Sequence, residues 1–233
     1  MGGRANAAEV ENDGGPVSDL SFVSGGPIPT GEPVGPMDAG MGADLSLLPR
    51  LSAGDGRPLL NRPSWTVTVL AENTAGRLDL IAEHGLSFWI ETPGLRVLFD
   101  TGPGPGWARN AEALGIDPAR AEAVALSHGH YDHTGGLVQA LRLAPQARLY
   151  LHPGALVNRY SFKTGQPRSI GIPDAVREAV RGLPVERVRW TPTPTLLAPG
   201  VGLTGTIPRA TGYEDTGGPF YRDEAKRFPD PID

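Results

Sequence analysis

Leu126-Ser127-His128-Gly129-His130-Tyr131-Asp132-His133 is the stretch on which the reading of this chain turns. It sets three of the protein's five histidines, together with an aspartate, inside six consecutive residues. Imidazole nitrogen and carboxylate oxygen are the ligands that suit zinc and neighbouring divalent metals. The spacing His-x-His-x-Asp-His lets one short loop aim side chains at two metal positions. Packing gives no reason for the cluster, because every buried imidazole needs partners for its ring nitrogens.

What flanks the loop supports this. The run 121–126 (AEAVAL) has the length and apolarity of a buried strand, and 137–143 (LVQALRL) after Thr134-Gly135-Gly136 has helical spacing. The cluster thus falls where a strand ends and a helix begins, the usual position of a functional loop in α/β proteins. Further strands are predicted at 65–70, 147–151, 187–190 and 201–206. Residues 86–91 and 95–99 flank Pro93-Gly94 and predict a hairpin. Helices are predicted over 107–114, closed by Gly115, and over 174–183, opened by Pro173. Strands with interleaved helices imply an α/β or α+β layered domain. The Gly102-Pro103-Gly104-Pro105-Gly106 run lacks the Lys-Ser/Thr of a phosphate loop and reads as a stiff loop over the pocket.

Residues 1–63 differ from the rest. They hold 12 Gly and 8 Pro with Phe22 as the sole aromatic, a composition that buries too little apolar surface to offset its ordering entropy. A disordered tail is expected over 1–63 and a folded domain over 64–233. The net charge of −5 and the lack of a Lys/Arg-rich run argue against nucleic-acid binding. No apolar stretch reaches membrane-spanning length, and residues 1–13 lack the regions of a secretory signal, so the expected location is cytoplasmic. With no cysteine, any metal must be held by nitrogen and oxygen.

The segment Ser127-His128-Gly129-His130-Tyr131-Asp132-His133-Thr134-Gly135-Gly136-Leu137 resembles the signature of metallo-β-lactamase-fold proteins. Glu83-His84-Gly85-Leu86-Ser87, Leu98-Phe99-Asp100-Thr101-Gly102, the run 110–117 (NAEALGID), His152-Pro153 and Thr204-Gly205-Thr206-Ile207-Pro208-Arg209 resemble, in that order, one branch of the family. That branch is labelled dihydropterin-synthase-like, after a 7,8-dihydropterin-6-yl-methyl-4-(β-D-ribofuranosyl)aminobenzene 5′-phosphate synthase. The resemblance covers residues 65–233 and implies the first half of an αββα sandwich. Family members continue into a second αβ half bearing Ser/Ala-His-Ala-Gly and Gly-Gly-x-His segments. No histidine follows His152 here. The expectation is therefore an N-terminal portion with an incomplete metal site, whose bare sheet face seeks a C-terminal half or a second copy as partner.

In the family pattern His128 and His130 bind one metal, while Asp132 and His133 bind the second. Zinc is the foremost candidate, with manganese or iron as alternatives. Two such ions generate a metal-bound hydroxide that attacks a small-molecule substrate, with Asp132 orienting it or taking up its proton. Asp100 is expected to accept a ring N–H from a ligating histidine; the plainer alternative is a cap on Thr101-Gly102. His84, His152 and Arg209 are weaker candidates for substrate contact, and Asn73 reads as a turn residue. The function implied is a metal-dependent hydrolase. A synthase-type transferase is the alternative suggested by the branch label, and a catalytically inactive fragment the non-enzymatic one.

Overall fold

The computed structural model describes residues 65–208, 210–211, 213 and 218–232. The expected tail over 1–63 and the candidate Arg209 lie outside the described residues. In chain order the first elements are β1 (Thr66–Ala71), β2 (Ser87–Thr92), β3 (Leu95–Phe99) and α1 (Gly106–Ala113). Then come β4 (Ala123–Ala125), α2 (Tyr131–Thr134), α3 (Leu137–Leu143) and β5 (Arg148–Leu151). Next are β6 (Tyr160–Ser161), β7 (Arg168–Ser169), α4 (Asp174–Arg181) and β8 (Val188–Trp190). The last are β9 (Thr195–Ala198), β10 (Val201–Leu203) and β11 (Phe220–Tyr221).

The main sheet has six strands in the order β1-β2-β3-β4-β5-β8. β1, β2 and β3 run antiparallel, and Pro93-Gly94 closes the predicted hairpin with Thr92 opposite Leu95. From β3 onward the pairing is parallel. The carboxyl ends of β3, β4, β5 and β8 therefore share one edge, where the loops after them meet.

Alternation along the strands separates two faces. Leu98, Val124, Leu149 and Leu151 point into the larger core with Trp89 and Leu70. Helices meet them at i, i+3 or i+4 spacing: Trp107 and Ala111 of α1, Leu137, Ala140 and Leu141 of α3, and Val176 and Val180 of α4. Asn110 ties α1 down from inside. Its amide nitrogen donates to the carbonyls of Leu70 (2.7 Å) and Ile81 (2.8 Å), and its oxygen accepts the Ile81 N–H (2.8 Å).

Val97, Ala123, Ala125 and Tyr150 line the opposite face, with Leu197 of β9 and Leu203 of β10 packed on them. On this face, expected to lose most of its cover, the β9–β10 hairpin covers the middle. Several short elements were not predicted, β9 among them. α2 is a single helical turn within the histidine loop, and β7, β6 and β11 form a separate small sheet. Among the described residues no helix is long and apolar enough to cross a membrane.

Candidate metal centre

β3 and β4 end side by side, and the chain leaving each contributes to the cluster. Asp100 follows β3, its N–H donating to the Ala125 carbonyl at 2.8 Å. Its φ of 56° is left-handed, a region that aspartate enters more readily than most side chains. The carboxylate is fully buried. Oδ1 accepts the Ser127 N–H (2.8 Å), while Oδ2 accepts the Ser127 hydroxyl (2.7 Å) and lies 2.7 Å from His133 Nδ1. The Thr101 and Gly102 amides bond instead to the carbonyls of His133 and Leu86. The Asp100 carboxylate thus faces His133, while the Thr101 and Gly102 amides are bonded elsewhere.

The three loop histidines touch. His128 sits edge-on to His130 with ring centroids 4.5 Å apart, and 4.2 Å from the His133 ring. Oxygen partners assign their nitrogens. Ser127 gives its only hydroxyl proton to Asp100, so it accepts from His128 Nδ1 at 3.0 Å. His133 Nδ1 faces the Asp100 carboxylate, and His130 Nε2 lies 3.1 Å from Asp230 Oδ2. A carboxylate only accepts, so each of these nitrogens carries the proton. The lone pairs are left on His128 Nε2, His130 Nδ1 and His133 Nε2.

Burial drives the His128 pKa down to about 2, helped by the positive charge His133, His130 and Arg159 carry when protonated; this ring is neutral. For His133 burial acts downward, but the Asp100 hydrogen bond and charge, with Asp132, raise it overall. Asp132 closes the group, its Oδ2 3.7 Å from His133 Nε2 and 3.5 Å from His84 Nε2. His84 is steered there by Asn73, whose Oδ1 lies 2.9 Å from Nδ1.

His152 is elsewhere engaged. Nδ1 accepts the Gly154 N–H (3.0 Å) at the start of a 3-10 turn, and Nε2 pairs with Thr206 Oγ1 (3.1 Å). Both nitrogens have protein partners. Sequence reading missed Ser127, Arg159 and Asp230. Ser127 lay in plain view within the signature; Arg159 and Asp230 carry no local pattern that marks them. A cleft lined by Val69, Leu70, Ile81, Leu86 and Phe88 lies beside this region without including a loop histidine.

Among the described residues no three His, Cys, Asp or Glu side chains converge as a ready cage for an ion. The donor set nevertheless fits a divalent metal. Three imidazoles each have one nitrogen held by a protein oxygen and the other bearing a lone pair, the usual arrangement of ligating histidine. A half-buried carboxylate stands beside them.

The family model of the metallo-beta-lactamase superfamily matches residues 80–211. An uncharacterised protein of Methanocaldococcus jannaschii is 28% identical over 149 residues, 64% of this chain and 56% of its own length. From the same organism, the 7,8-dihydropterin-6-methyl-4-(beta-D-ribofuranosyl)-aminobenzene-5'-phosphate synthase is 34% identical over 108 residues, 42% of this chain and 35% of its own. The chain thus spans roughly half or less of these relatives. A solved structure described as a metal-dependent hydrolase of the beta-lactamase superfamily aligns over 71% of this chain and 57% of its own. Its identity is 24% and its TM-score 0.49. With the family match spanning the sheet edge and its histidine loop, the chain belongs to the metallo-beta-lactamase superfamily.

Proposed function

We propose that this chain carries the metal-binding portion of a hydrolase acting on a small molecule, with zinc as the preferred ion and manganese or iron as alternatives. The observation that carries the reading is the contact of three imidazoles whose second nitrogens are each held by Ser127, Asp230 or Asp100. His128 and His130 would hold one ion, and Asp132 with His133 a second. The chemistry a divalent ion supplies there is Lewis acidity toward a carbonyl or phosphoryl oxygen and a lowered pKa for the attacking water.

The side chains do the rest. Water adds across an ester, lactone or phosphodiester bond; Asp132 Oδ2 takes its proton and returns it to the leaving oxygen. His84, 3.5 Å from that oxygen and with a side chain 72% exposed, links Asp132 to solvent. A net charge of −5 supports small-molecule rather than nucleic-acid partners, and the proposal includes a cytoplasmic location.

The test is turnover of a lactone and phosphodiester panel by the full chain with added Zn²⁺ or Mn²⁺. Hydrolysis abolished both by chelator and by Asp132→Ala supports the reading; hydrolysis indifferent to either sinks it. Similarity to the synthase favours a second reading, transfer of a pterin carbon to an arylamine ribonucleotide. Product formation from those two partners, without hydrolysis of the panel, would select it.

A further inference from the structure

Asp230 lies 100 residues from His130 in the chain, yet its Oδ2 is 3.1 Å from His130 Nε2. The same oxygen accepts from Arg159 Nε at 2.8 Å. Asp230 is 1% exposed and Arg159 fully buried, so this is an ion pair withdrawn from water. Such pairs stabilise little, because desolvation offsets their attraction. A buried pair that also binds the loop histidine calls for an account beyond stability.

The surroundings aim the contact. The Asp230 N–H donates to the Phe220 carbonyl at 3.0 Å, and Oδ1 accepts the Ile232 N–H at 3.1 Å, so the carboxylate cannot swing freely. Phe220 presents its ring edge-on to His130 at 5.5 Å. On the other side Tyr131 donates its N–H to the Ile170 carbonyl (2.9 Å), and Ile170 donates to the Arg159 carbonyl (2.9 Å). Gly129 admits the guanidinium: a Cβ there would strike the Ala155 carbonyl and the Arg159 side chain. The small β7-β6-β11 sheet and the segments beside it thus bring a charged pair to one nitrogen of one histidine.

We infer that Asp230, held by Arg159, is the positioning residue of the centre: it keeps the proton on His130 Nε2 and turns Nδ1 toward the cluster. Asp100 does the converse to His133, holding Nδ1 and leaving Nε2. The two histidines therefore present different nitrogens, and each is set by a different carboxylate. This inference rests on the metal-site reading for its purpose, but the contact itself is testable without metal.

The experiment is NMR of the full chain with ¹⁵N-labelled histidine, first without metal, then with Zn²⁺ affinity measured by chelator competition. In the wild type His130 is expected as a single tautomer with an exchange-protected Nε2–H. Asp230→Asn keeps an accepting oxygen and keeps that proton protected. The double variant Arg159→Met/Asp230→Leu removes both charges of the pair. There the proton exchanges with water and Zn²⁺ affinity falls roughly 10–100-fold. A wild-type His130 protonated on Nδ1 would overturn the inference, as would unchanged His130 signals and Zn²⁺ affinity in the double variant. Should the double variant not fold, the wild-type tautomer decides alone. A protected Nε2–H in a chain that takes up no Zn²⁺ upholds the positioning contact and defeats the metal reading instead.

Discussion

Asp100 joins three functions in one buried carboxylate: it accepts two hydrogen bonds from Ser127 and holds the His133 ring. Replacing it with alanine strands these donors and leaves an alanine at a left-handed φ of 56°. Asp100→Ala is expected to lower stability by about 2–4 kcal/mol, read as a drop in denaturant midpoint at constant m-value; a change within error would remove Asp100 from this role. The histidines also set a pH response for the metal-free chain. The folded His128 pKa is near 2, below an unfolded value of about 6.5, so the unfolded chain binds more protons between the two. Stability should rise with pH across that window, and less steeply in His128→Gln. His133 has the opposite sign. Its folded pKa is raised, so its contribution is complete below about 6.5 and is lost as pH climbs through the folded value. Denaturant midpoints at pH 4, 6 and 8 in wild type, His128→Gln and His133→Gln check these signs.

Among the elements, long-period patterns were legible and short ones were not. The hairpin around Pro93-Gly94 was readable because alternation and a turn dipeptide agree, and β3 matches its predicted bounds, Leu95–Phe99. The helix beginning at Asp174 was readable from Pro173 before it, but it ends at Arg181, with Gly182 as its cap, and not at the expected 183. β6, β7 and β11 have two residues each, too few for alternation to register. The histidine cluster stood out by its own composition, and Asp100 by its place after an apolar strand. Asp230 could not be found that way, since its partner lies 100 residues away and its meaning comes only from packing. The fit between the histidine loop and the turn after β5 yields a further prediction. Gly129→Ala would push a methyl into the Ala155 carbonyl and Arg159, costing about 1–3 kcal/mol. Thermal unfolding measures it; an unchanged midpoint would show that the two segments are less tightly apposed.

Across the whole molecule the six-stranded sheet is covered unevenly. Helices pack one face, while on the other the β9–β10 hairpin covers the centre and leaves the β1 side open. There Trp65, Val67 and Val69 are 54%, 57% and 46% exposed. An apolar edge strand of this kind favours association. We propose that the chain self-associates, or takes up a partner, through this face. Sedimentation should show a concentration-dependent oligomer with hydrophobic-dye binding, both reduced by Val67→Lys/Val69→Lys. A monomer that binds no dye would contradict it.

Calorimetric titration of the metal-free full chain with Zn²⁺ tests the centre most directly. Saturable binding in the wild type, lost in the His128→Ala/His130→Ala double variant while the fold persists, is the predicted result. Equal zinc uptake by the two proteins, or none by the wild type, would contradict the assignment of the histidine loop as a metal site.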